Sequence, residues 1–262
     1  MKKKVLFTTH NSRLTKKLSA LVPQCLSAFT LAETLIVIGI IGVVAALTLP
    51  NLNHATGDKE TVTRVMKAYS MLNEANDRAV ATYGPISTWK SNENCDYNFN
   101  ACWTKRIAEF LKISKSCDET SMAEDAGIWS SCDSIRSFDY DGVVYQMADG
   151  TSFGANGSNS DCNNSWESIR DFCFDEINVD INGPQKGKNQ YGNDIFRFMI
   201  SDSVGMLPTG ENSIQACMGD KDYVCTWWVI EFGNLDYLKA DSEGKCNDSD
   251  IVLDGVTNTS CH

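Results

Sequence analysis

Residues 29–49, FTLAETLIVIGIIGVVAALTL, form a 21-residue run in which Glu33 is the only charge. At about 1.5 Å per residue, a helix of that length reaches roughly 30 Å, the thickness of a bilayer's hydrocarbon core. The run is therefore expected to span a membrane once, placing the chain in the inner (cytoplasmic) membrane with its C-terminal part extracytoplasmic. A carboxylate inside such a span costs on the order of 2–3 kcal/mol on insertion scales, so Glu33 calls for a function and a cationic partner.

The preceding residues offer that cation. Residues 1–28 carry Lys2, Lys3, Lys4, Arg13, Lys16 and Lys17 and no acid, a balance that keeps a leader on the cytoplasmic side. A cut between Ala28 and Phe29 would create an α-amine about one helical turn from Glu33, within reach of a carboxylate on the same or a neighbouring helix.

A basic leader, a small residue and then FTLAETLIVIGIIGVVAALTLP resemble the processing signal of type IV prepilins and of the pseudopilins of type II secretion systems. In that family a membrane-embedded aspartyl peptidase cuts after the small residue and methylates the new terminus. The resemblance implies cleavage after Ala28, N-methylation of Phe29, an assembly role for Glu33, and helix-loosening positions at Gly42 and Pro50. One departure is that alanine stands where the family usually has glycine before the cut. The implied partners are the prepilin peptidase, other pilin or pseudopilin subunits, the inner-membrane assembly platform and the membrane. The implied fold is α+β and pilin-like, with a long N-terminal helix, membrane-spanning in its first half, packed on a small antiparallel sheet and stapled by disulfides.

Composition agrees with an exported chain. The net charge is -11, and loss of the leader leaves 17 Lys and Arg against 34 Asp and Glu, which disfavours a phosphate backbone and counts against nucleic acid as a partner. Of eleven cysteines, Cys25 lies in the leader; Cys95, Cys102, Cys117, Cys132, Cys162, Cys173, Cys217, Cys225, Cys246 and Cys261 remain. They lack the pairs two to four residues apart that a zinc site wants, so disulfides in an oxidising compartment are expected. Cys162 with Cys173 and Cys217 with Cys225 are candidate near-neighbour pairs.

Three domains follow: a cleaved leader (1–28), an N-terminal helix (29–84, with 29–49 in the membrane and 55–83 amphipathic) and a head (85–262). In 55–83, Val62, Val65, Met66, Tyr69, Leu72, Ala75, Ala79, Val80 and Tyr83 recur at helical spacing, and Gly84 with Pro85 ends the helix. Pro50 is expected to kink or melt a turn. In the head, 101–113 reads as a short helix and 138–154 as a hairpin turning at Ala148, Asp149 and Gly150. CFDEINVDI and IFRFMIS read as half-buried strands, and GANGSNSDCNNS as a polar loop stapled by Cys162.

Two stretches carry candidate chemistry. In VDINGPQKGKNQYGNDIFRF (179–198), Asp180, Asn182, Asn189 and Asp194 set hard oxygens around a Gly-rich turn, as calcium takes; such residues also form turns without metal. No other cofactor is expected. In CTWWVIEFGNLDYLKAD (225–241), Trp227, Trp228, Ile230 and Phe232 suit core packing, or alternatively an exposed aromatic pair for carbohydrate or a partner. Both stretches also resemble segments near the C-termini of pilin-like proteins.

Enzymatic activity is not expected. After leader removal the histidines are His54 and His262, and GxSxG, HExxH and P-loop patterns are missing. Asp171 with Asp175 and Asp236 with Asp241 read as solvated acids rather than an acid and base. The functional expectation is a pilin-like structural subunit, pseudopilin or minor pilin, of a pilus or secretion pseudopilus. A tip adhesin and an anchored ectodomain with an uncleaved signal are the alternatives.

Overall fold

The computed structural model describes the backbone at residues 31–91, 99–117, 135, 143–158, 162, 164–166, 169–210 and 213–262. The chain divides into two units, Met1–Pro50 and Asn51–His262.

Helix α1, Leu31–Tyr83, belongs to both units. In the second unit its spacing decides what it buries: Val62, Val65, Ala68, Leu72, Ala75 and Ala79 recur every three or four residues and are all buried. Gly84 ends it, at φ +85°, with its N–H bonded to the Val80 carbonyl. A 3-10 turn, Ile86–Ser91, and α2, Phe99–Ala108, follow. Trp103 of α2 is fully buried, and its indole N–H donates to Asn76 Oδ1 of α1 at 3.1 Å.

Seven strands follow: β1 Ile113–Cys117, β2 Val144–Met147, β3 Ser152–Ser158, β4 Asn164–Trp166, β5 Ile169–Asp180, β6 Ile195–Ser201 and β7 Gly205–Pro208. All pairings are antiparallel, in the order β1-β2-β3-β5-β6-β7, with β4 paired to β5 off that path. The chain then forms α3, Ile214–Gly219, α4, Thr226–Phe232, and a 3-10 turn, Asp236–Lys239.

The sheet is covered on both sides. Tyr69 of α1 stacks on Phe198 at 5.5 Å between ring centroids. On the other side the Arg197 N–H donates to Thr226 Oγ1 and its guanidinium lies 4.2 Å from the Tyr223 ring centre. β6 is consequently buried at every position but Arg197, rather than half-buried as its sequence suggests.

The expected architecture is corrected. The sheet is not small: among the described residues it has seven strands and is followed by short helices. Nor is the expected membrane-spanning half found: among the described residues no helix is long and apolar enough to cross a membrane. The apolar part of α1 whose side chains are described is residues 31–44, about 21 Å of helix against the roughly 30 Å required. The single-pass inner-membrane placement is corrected with it. Backbone pairing also overrules composition locally. Residues 154–158 of the polar stretch read as a loop continue β3, because the 12-residue β5 offers them a partner as far as Ser158↔Phe174. Helix α2 stops at Ala108, and Ile113 pairs with Met147 instead of ending a helix.

Candidate functional site

The first described turns of α1 present an exposed apolar surface. Nine large apolar side chains of residues 31–44, from Leu31 at 78% to Val37 at 51%, are exposed. Polar interruptions are few: Thr34 turns its hydroxyl back onto the Leu31 carbonyl at 2.9 Å. A helix apolar on all sides is ordinarily covered by something. Glu33 sits in the first turn, where the N-terminal end of the helix dipole favours a carboxylate. A Cβ at Gly39 or Gly42 would meet nothing within 4 Å, so a neighbouring backbone could approach closely there. Ala28 and Phe29 lie outside the described residues. α1 is helical through Pro50, without the melted turn expected there.

The four residues considered for calcium are built into two turns. Asp180, fully buried, accepts the N–H groups of Asn182 (3.0 Å) and Gly183 (2.8 Å) on Oδ1. Asp194, also buried, accepts those of Lys188 (2.6 Å) and Asn189 (2.9 Å) on Oδ2 and of Gln190 (2.7 Å) on Oδ1. Asn189 adopts φ +52°, and its amide donates to the Pro184 carbonyl. Gly187, at φ +79°, packs so closely that a Cβ would fall 2.1 Å from Asp194 Oδ2. Asn182 Oδ1 is buried without a partner. The loop is thus wound around the Asp194 carboxylate, which does the work of a cap.

Among the described residues, one set of His, Cys, Asp or Glu side chains brings three ligand atoms within 4.8 Å of one another: Cys162, Cys173 and Asp202. Its sulfurs are joined in a disulfide, which leaves no thiolate for a metal. Asp202 accepts from the Ser87 hydroxyl at 2.6 Å and its N–H at 3.2 Å.

Disulfides also join Cys217 to Cys225 and Cys246 to Cys261. Cys102 and Cys117 are disulfide-bonded as well, while Cys95 and Cys132 lie outside the described residues. Trp228 is fully buried and donates to Asn234 Oδ1 at 2.9 Å, with Trp227 and Phe232 edge-on against it. The pair is core, which removes the exposed aromatic platform.

Asp236 is not a solvated acid. It is buried and accepts from Lys239 Nζ (2.8 Å), the Ser260 hydroxyl (2.7 Å) and the Cys261 N–H (2.9 Å). Burial pushes its carboxyl up, but these donors outweigh it and hold it below the ordinary carboxylate range. Asp241 is exposed and accepts the N–H groups of Glu243 and Lys245. The side chains of Asp171 and Asp175 lie outside the described set, as does that of His54, and His262 is exposed. Sequence reasoning also missed Arg106, whose guanidinium lies between the rings of Tyr83 (4.7 Å) and Trp89 (4.6 Å). Its only sequence signal was a cation on a short amphipathic helix.

A family model described as a family of unknown function (DUF6613) matches residues 51–252, and the chain belongs to that family. No curated protein and no solved structure matches it. That family has no assigned role, so it lends no support to a place in a pilus or secretion system, and the expected transmembrane helix is corrected by the helix lengths above.

Proposed function

We propose that the chain is a pilin-like structural subunit, cut between Ala28 and Phe29 by a prepilin-type peptidase and joined to copies of itself through the helix that begins at Leu31. The observation carrying this reading is the apolar helical surface of residues 31–44, exposed on all sides in the folded chain. Neighbouring helices of the same kind would cover it, each large apolar side chain fully removed from water contributing about 1.5–3 kcal/mol. Glu33 then sets axial register: met by the methylated amine of Phe29 on an adjacent copy, it is balanced in one alignment and loses that partner on a one-turn slip.

The experiment is to express the chain with its peptidase, collect the filaments, and determine the first residue of the incorporated subunit by intact mass. The expected chain begins at N-methylated Phe29. Glu33→Ala should be cut normally and be depleted from filaments. Incorporation of Glu33→Ala at the wild-type level, or an assembled chain still beginning at Met1, overturns the reading.

A further inference from the structure

In the second unit a cavity of about 340 Å³ lies where α1, the α2–β1 corner and the β2–β3 turn meet. Met71 and Ala75 of α1, Phe110 and Leu111 of the corner, and Met147 of β2 line its apolar part. Its walls are tied together, because the Ala148 N–H donates to the Lys112 carbonyl at 2.8 Å and the Ser114 hydroxyl to the Gln146 carbonyl at 3.0 Å. A cavity of this size, largely pre-formed and apolar with a few charges at its edge, has the make-up of a small-molecule site.

The charges at its edge say which molecule. Lys67 pairs with Asp149 at 2.6 Å, and Arg78 with Glu74 at 2.5 Å. That leaves Lys112, which is exposed and has no ion pair among the described residues. Three cations against two acids make this edge positive in a chain of net charge -11. We propose that the cavity binds a small apolar monocarboxylate, its chain among Met71, Phe110, Leu111 and Met147 and its carboxylate on Lys112. A neutral molecule of the same shape would gain no charge-assisted hydrogen bond from Lys112 and a cationic one would be repelled by it, so the site selects for the acid group.

The probe is octanoate, kept below its micellar concentration and added to the full chain carrying ¹³C-methyl methionine. The readout is local: the methyl resonances of Met71 and Met147, assigned by Met71→Leu and Met147→Leu, report the cavity and not the exposed helix of residues 31–44, which holds no methionine. Octanoate should shift both resonances saturably, octylammonium should not, and Lys112→Glu should weaken binding by about tenfold or more. Lys115→Glu, an exposed lysine on β1 outside the cavity, should bind as wild type. Methyls unmoved by millimolar octanoate, equal response to octylammonium, or equal loss in both lysine variants overturns the proposal.

Discussion

Two stretches of α1, residues 31–44 and 62–79, are both rich in apolar side chains and both helical, yet only the second is covered by its own chain. The difference is one of pattern. In 62–79 the apolar residues keep to a stripe with charged neighbours such as Arg64, Lys67, Glu74, Asp77 and Arg78, so one face meets the sheet and the other meets water. In 31–44 no polar face exists, and every direction round the helix presents an aliphatic side chain. A stripe can be satisfied by one neighbour, whereas a surface apolar on all sides needs several. That is why the first stretch stays exposed and the second packs against the sheet; in the proposed filament, other copies would cover the first.

The sharpest way to break this contrast is to truncate one side chain in each stretch. Leu72→Ala, at a fully buried position, should cost about 2–5 kcal/mol in chemical denaturation of the head. Ile36→Ala, exposed at 62%, should change the same measurement by no more than about 0.5 kcal/mol while reducing self-association. Equal losses in denaturation would mean that the first stretch is packed within the monomer.

Glycines separate the regions by a smaller margin. Gly187→Ala imposes a left-handed conformation on a side chain that also meets Asp194, and should cost about 1–3 kcal/mol. Gly42→Ala meets nothing and should favour the isolated helix by about 0.5–1 kcal/mol. If Gly42→Ala leaves the fold intact but lowers filament yield, close approach of helices at Gly42 is required for assembly.

The smallest effect is on acid stability, and it belongs to the second unit. Because the Asp236 carboxyl is held below its unfolded value, its contribution is present above about pH 4 and is lost as the pH falls through the folded value. Melting temperature should fall as the pH drops below about 4, and Asp236→Asn should flatten that part of the curve while lowering the plateau. An unchanged slope in Asp236→Asn would place the acid sensitivity elsewhere.

Much of the head could be read from sequence where local rules suffice. The stripe of α1, its stop at Gly84 and the turn at Asp149 and Gly150 follow from spacing and from what glycine and aspartate do to a backbone. Indeed the Thr151 N–H bonds Asp149 Oδ1, and Gly150 takes φ +96°. What failed were readings that needed a partner to be known. Residues 154–158 look like loop until β5 lies beside them. Asp236 looks like one surface acid among 34 until Lys239, Ser260 and Cys261 close on it. Met66 looks like a core residue by spacing, yet it is 40% exposed at the edge of the stripe. The cavity beside Lys112 had no sequence signal, since its walls come from segments up to 82 residues apart, the separation of Lys67 from Asp149.

By itself the sequence determined the apolar N-terminal helix with its single acid, the amphipathic stripe that follows, and a cysteine-rich, acidic head, because hydrophobic period, charge and turn chemistry act over a few residues. The tertiary structure alone decided the seven-strand order, the burial of Asp180, Asp194 and Asp236, and the side chains that line the cavity. Those depend on which distant segments share a face, and the free energy of burying or pairing a group is set by neighbours that the local sequence does not contain.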